Sequence, residues 1–256
     1  MSHHIIDFKD LYYQYPDGKT AVAGVTMRIH HGEAVGIAGA NGAGKSSLLM
    51  LLAGMLLPSK GEVRIGETPV TKKTLGYIRQ RIGFVFQNPD DQLFSTSVYE
   101  DVAFGPRNYG IDENEVNQRV IKALDIVGAG HLKDRAPYKL SGGEKRIAAI
   151  AAVLSMEPDI LVMDEPTAAL DPKARRRLIN LVKGFTHTRI IASHDLDMLL
   201  ESCERTIVLR EGKVAADGPT MQVLSDAELM EACGLEVPLM LQGCPVCGRN
   251  KKQERS

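Results

Sequence analysis

The segment Gly39-Ala40-Asn41-Gly42-Ala43-Gly44-Lys45-Ser46 fits G-x-x-x-x-G-K-[ST] and lies between two apolar stretches, Ala34–Ala38 and Lys45–Met55. Such a pattern demands a buried strand, a loop that curls back on itself and a helix. Glycines let the backbone turn so that its N–H groups converge on phosphate oxygens, and the positive end of the following helix adds to that field. In that geometry Asn41, Gly42 and Gly44 line the cradle and Lys45 reaches the β- and γ-phosphates. The Ser46 hydroxyl ligates Mg²⁺, and Ser47 follows it. A glycine-rich turn matching by accident is expected in only about one per cent of chains this long. A dinucleotide-binding turn is excluded, because Ser47 stands where its third glycine would be.

Apolar–polar alternation over residues 5–30, broken at Pro16-Asp17-Gly18, reads as an antiparallel hairpin. Short apolar strands are expected at Ala34–Ala38, Glu62–Ile65, Ile82–Gln87, Asp159–Asp164 and Arg189–Ser193. Helices are expected over Lys45–Met55, Glu113–Val127, Ser141–Met156, Arg175–Thr186 and Pro219–Cys233. Thr206–Arg210 and Lys213–Ala216 pair around Glu211-Gly212. Buried strands alternating with helices mean an α/β fold with a mainly parallel core sheet, and the early hairpin adds an N-terminal antiparallel β layer.

The run Ile160-Leu161-Val162-Met163 delivers two acids, Asp164 and Glu165, to the carboxyl edge of that sheet, where ligands bind in open α/β folds. Downstream of a phosphate loop, Asp164 is placed to hold Mg²⁺ and Glu165 to orient or polarise an attacking water. Leu140-Ser141-Gly142-Gly143-Glu144 has two compatible readings. Ser141 and Glu144 form a capping box, and a glycine-bearing helix start is also a place where backbone N–H groups meet phosphate.

Taken together, the phosphate loop, Leu140–Glu144, Asp164-Glu165-Pro166-Thr167, Ala169-Leu170-Asp171-Pro172 and Ser193-His194-Asp195 resemble, in order and spacing, the ATPases of ABC transporters over residues 5–218. That resemblance implies a P-loop NTPase fold of the ABC ATPase type. The nucleotide-binding domain would span residues 1–218 with a helical subdomain at about 90–157, followed by an extension over 219–256. It also implies a head-to-tail dimer, a homodimer given one complete cassette, with each ATP between one subunit's phosphate loop and the other's Ser141, Gly142 and Gly143. By the same resemblance Tyr15 stacks on adenine, the alternative being an ordinary strand residue. Gln87 meets Mg²⁺ and the attacking water, His194 contacts the γ-phosphate, and Asp171 couples the two sites. Glu144 replaces a more usual Gln, Ala169 a Gly and Ser47 a Thr, and none of these removes a catalytic group.

Residues 84–106 closely resemble the ATPases of energy-coupling-factor importers. There this stretch forms a groove for a membrane-embedded T subunit, while a separate S subunit binds the solute. The alternative is a local core built from Phe94, Val98 and Phe104. Ser193–Asp197, Ala216–Pro219 and Leu235–Pro238 are similar to the cobalt/nickel importer group, with a vitamin as the other cargo. A formal net charge of -1, one cassette and no heptad run argue against nucleic acid as partner. The longest apolar run, Leu48–Leu57, is too short to span a bilayer, and no secretory signal is visible at the start. A chain of this kind is expected at the cytoplasmic face of the membrane, held there by partners. Cys244 and Cys247 could share a zinc between two chains or be free thiols in a tail. His3, His4, His30 and His31 are read as surface residues rather than a metal site.

Overall fold

The computed structural model describes residues 6–168 and 170–242. In chain order the strands are β1 (Ile6–Gln14), β2 (Thr20–Ile29), β3 (Ala34–Ala38), β4 (Lys60–Ile65), β5 (Thr68–Pro69), β6 (Ile82–Val85), β7 (Ile160–Asp164), β8 (Thr188–Ala192), β9 (Arg205–Arg210) and β10 (Lys213–Pro219). The helices are α1 (Lys45–Leu52), α2 (Leu75–Arg81), α3 (Val98–Asn108), α4 (Glu113–Ile126), α5 (Gly142–Leu154), α6 (Pro172–Gly184), α7 (Leu196–Ser202), α8 (Thr220–Ser225) and α9 (Ala227–Ala232).

These strands form two sheets. The first, antiparallel, runs β2-β1-β4-β5; the second runs β10-β9-β3-β8-β7-β6 and is parallel except for β10 at its edge. Both β3 and β7 are buried along their whole length, which is why they read as unbroken apolar runs rather than alternating ones. Successive residues of β7 serve opposite faces. Ile160 and Val162 pack with α1 and the antiparallel sheet, around Phe8, Leu11, Leu48 and Leu52. Leu161 and Met163 pack with α6 and α7, around Leu178, Ile179, Met198 and Leu199. A third core joins α3, α4 and α5 through Val98, Val102, Val116, Val120, Leu124 and Ala148.

Several boundaries move from their expected places for local reasons. Helix α6 begins at Pro172, not Arg175, because Asp171 caps it by accepting from Lys173 N (2.8 Å) and Ala174 N (2.9 Å), and proline suits a first turn. The expected helix over Pro219–Cys233 is two short ones, because Asp226 leaves helical geometry and its side chain caps Leu229 N. The segment before α3 divides the alternatives read for it. Val98 is in the core, whereas Phe94 (66% exposed) and Phe104 (51%) face outward and stack edge-to-face at 4.9 Å. The cysteine pair at 244 and 247, His3, His4 and Ala169 lie outside the described residues.

Candidate nucleotide site

Parallel pairing brings four strand ends to one edge of the second sheet. β3 ends there on the phosphate loop, β6 on Phe86 and Gln87, β7 on Asp164 and Glu165, and β8 on Ser193 and His194. The loop from Gly39 is braced tightly. A Cβ on Gly44 (φ 103°) would sit 2.2 Å from the Ala21 carbonyl oxygen, and one on Gly39 would sit 2.5 Å from that of Leu209. Only glycine fits either position. Gly212 N also donates to Ala43 O, and Ala23 N donates to Gly212 O.

A cleft of about 470 Å³ opens over this loop, lined by Tyr15, Asp17, Lys19, Asn41, Gly42, Gly44, Lys45, Ser46, Ser47, Gln87 and Glu165. The buried Lys45 ammonium donates to Gly39 O at 2.8 Å and lies 3.7 Å from Glu165 Oε1. Tyr15 leans over the loop, its hydroxyl 3.0 Å from Ser47 Oγ and its ring edge-to-face with Tyr13.

Glu165 is buried and has φ 47°, a left-handed conformation that costs a non-glycine residue of order 1–3 kcal/mol. Its surroundings hold it there. Glu165 N donates to Ala192 O at 2.8 Å. Oε2 accepts from Ser193 Oγ (3.2 Å) and His194 N (3.1 Å), with His194 Nδ1 2.7 Å away. The imidazole itself is largely exposed and lies in a neighbouring depression beside Thr167 and Leu235–Leu239. Asp164 is 2% exposed and Oδ1 has no hydrogen-bond partner. Burial pushes its carboxyl above the usual range, against a Ser46 hydrogen bond and with the charge of Glu165 adding to the effect. Asp164 does not itself line the cleft, but its orphaned buried oxygen lies behind the Ser46 hydroxyl, which lines the cleft with Gln87, and this donor set suits a hard cation that brings its other ligands with it.

Ser141, Gly142, Gly143 and Asp171 do not line this cleft. Ser141 caps α5 by accepting from Glu144 N while Glu144 Oε2 accepts from Ser141 N at 2.8 Å, so the expected capping box is formed. Leu170, next to Asp171, packs close to Gly143. Ser141, Gly142 and Asp171 are exposed.

The family model described as "ABC transporter" matches residues 22–168. This chain belongs to the ABC transporter family. A putative ABC transporter ATP-binding protein of Geobacter sulfurreducens is 61% identical over 97% of this chain and 100% of that protein. The energy-coupling factor transporter ATP-binding protein EcfA of Methanothermobacter thermautotrophicus is 46% identical over 91% of this chain and 77% of that one. Among solved structures, cbiO1 of Clostridium perfringens, part of the ABC transporter complex cbiONQ, is similar with a TM-score of 0.79 at 41% identity, covering 90% of this chain and 94% of that one. As an ABC transporter ATP-binding subunit the chain is an ATPase coupled to transport, and its relatives include the energy-coupling-factor ATPases. Among the described residues no helix of this ABC ATPase is long and apolar enough to cross a membrane.

Sequence reasoning passed over Arg146, Gln92 and Arg175, all of which touch segments bearing site residues. Only Arg146 leaves a readable signal: on a 3.6-residue period it shares the face of Ala149, Ile150 and Val153, where a charge is out of place.

Proposed function

We propose that this ATPase is the motor of an energy-coupling-factor importer and works as a homodimer that closes on two molecules of MgATP. The observation that carries the reading is Glu165. Its carboxylate is buried, held in strained backbone by Ser193 and His194, and set on the cleft beside Lys45. Asn41, Gly42, Gly44 and Lys45 hold the phosphates, Ser46 and Ser47 complete the cradle, and Tyr15 stacks on the base. Glu165 orients and deprotonates the attacking water, and His194 reaches the γ-phosphate. Ser46, Asp164 and Gln87 would hold Mg²⁺, which when bound would offset negative charge on the phosphate oxygens.

Half of the site comes from elsewhere. The capped α5 start exposes Ser141 and Gly142, as Asp171 is exposed, and none of these residues lines the chain's own cleft. Helix N–H groups presented this way meet the phosphates bound by a second copy. The exposed Phe94–Phe104 pair lies just beyond Gln87 and forms the seat for the membrane-embedded T subunit, which works with a solute-binding S subunit. That docking places the chain peripherally at the cytoplasmic face. The cargo is a transition-metal ion, cobalt or nickel, a reading supported by the Ser193–Asp197, Ala216–Pro219 and Leu235–Pro238 motifs.

Glu165→Gln tests the chemistry. Turnover should fall at least about a hundredfold while ATP affinity stays within about threefold. Near-normal hydrolysis by this variant refutes the role given to Glu165.

A further inference from the structure

Arg146 is 2% exposed, on the first turns of α5. Its Nη1 and Nη2 donate to the carbonyls of Phe86 and Gln87, two successive acceptors on the strand end that carries Gln87. Among the described residues Nε has no hydrogen-bond partner. Burial pulls its pKa down, while Asp164 and then Glu165 pull it back up through space. A buried cation satisfied by neutral carbonyls is a costly arrangement: an apolar side chain of similar volume gives up two hydrogen bonds but also removes the cost of burying the charge. Two neighbouring contacts run the same way. Gln92 accepts from Phe86 N (3.5 Å) and donates to Ala149 O of α5 (2.6 Å), and Lys145 pairs with Asp90 at 2.6 Å.

We infer that Arg146 is a positioning residue for ATP hydrolysis. Its planar fork fixes the Phe86–Gln87 backbone to the start of α5, so that Gln87 stays on the cleft while the same end of α5 presents Ser141–Gly143. This rests on the proposed role of Gln87 in the site. A guanidinium spans two consecutive carbonyls at fixed spacing, which an ammonium cannot do. The guanidinium thus ties together two parts of the reaction, the strand end that carries Gln87 and the helix that meets the second nucleotide.

The experiment is steady-state ATP hydrolysis by the full-length chain, with kcat and KM separated, alongside thermal unfolding. Arg146→Met should keep Tm within a few degrees, leave KM for ATP within about threefold and lower kcat about tenfold or more. Arg146→Lys should recover only part of kcat. Gln92→Met, which removes the second tie at a less buried place, should lower kcat about threefold and serves if Arg146→Met does not fold. Gln87→Ala is run in parallel and should lose kcat to a similar degree. Wild-type kcat in Arg146→Met, or in Gln92→Met if that variant must stand in, overturns the inference, as does a loss shared equally by kcat, KM and Tm. Loss in Gln87→Ala alone leaves the site reading standing and removes only Arg146. Wild-type kcat in Gln87→Ala defeats the role of Gln87 itself, and with it the inference.

Discussion

Asp164→Asn should stabilise the nucleotide-free protein and destroy its activity. The carboxylate is 2% exposed, one oxygen has no partner, and its pKa stands above the usual range even with Ser46, Lys45 and Arg146 acting in its favour. The net effect of the fold on this charge is therefore unfavourable. Leaving a buried polar group unsatisfied costs about 1–3 kcal/mol, and asparagine, neutral and nearly isosteric, removes the charged part of that penalty. Taking ~1 kcal/mol and the entropy of unfolding of a chain this size, Tm should rise by about 2–4 °C. The sign of the pH dependence follows. A carboxyl whose folded pKa is raised destabilises the ionised protein increasingly as pH rises from its unfolded to its folded pKa, so the variant's advantage grows over that range and is full above it. It disappears as pH falls below the unfolded value of about 3.9. The assay is calorimetric or fluorescence-monitored unfolding without nucleotide, repeated with MgATP. Without nucleotide the variant melts higher; with MgATP it gains less than wild type, because wild type alone offers the cation its ligand. A lower Tm in the nucleotide-free variant would refute the reasoning, since it would mean that Asp164 is held for the fold rather than against it.

The outward aromatic pair makes a separate prediction. Phe94→Ala together with Phe104→Ala should leave Tm within about 2 °C, because both rings are more than half exposed. The same variant should lose copurification with membrane partners when the transporter genes are co-expressed, and retained copurification would remove that docking surface. A third prediction concerns the loop that presents His194. Arg175 forms a two-point pair with Asp195 at 2.6 and 2.7 Å. Burial pushes the Asp195 carboxyl up, but Arg175 and Met198 N–H carry it below the usual range. A depressed folded pKa contributes stability above the unfolded value and loses it as pH falls through the folded one. Arg175→Met should therefore cost ~1–2 kcal/mol at pH 7 and progressively less below about pH 4, measured by urea unfolding across pH.

Strands β3, β6 and β7 of the central sheet were readable because they are short, almost wholly apolar and each leads into a chemically conspicuous residue. Helices α2 and α7 were not, being only about two turns long and too brief for a 3.6-residue period to show. Which of Phe94, Val98 and Phe104 face inward was also hidden, because all three are apolar and only packing against α4 and α5 separates them. The capping box at Ser141 and Glu144 was legible because it is local in sequence. Pairing between distant residues, as between Arg146 and Gln87 or Arg175 and Asp195, depends on which strands and helices become neighbours, and no spacing rule encodes it.

Gly44 has a mechanical consequence. Its backbone lies so close to the Ala21 carbonyl that not even a methyl group fits between them, and Gly212 bonds to both sides of the same junction. The antiparallel sheet and the phosphate loop thus meet backbone to backbone, with no compliant side chain to absorb a displacement. On the proposed phosphate-binding role of the loop, a tilt of the outer strands would be passed to the phosphates through this junction, and nucleotide binding would be felt in those strands.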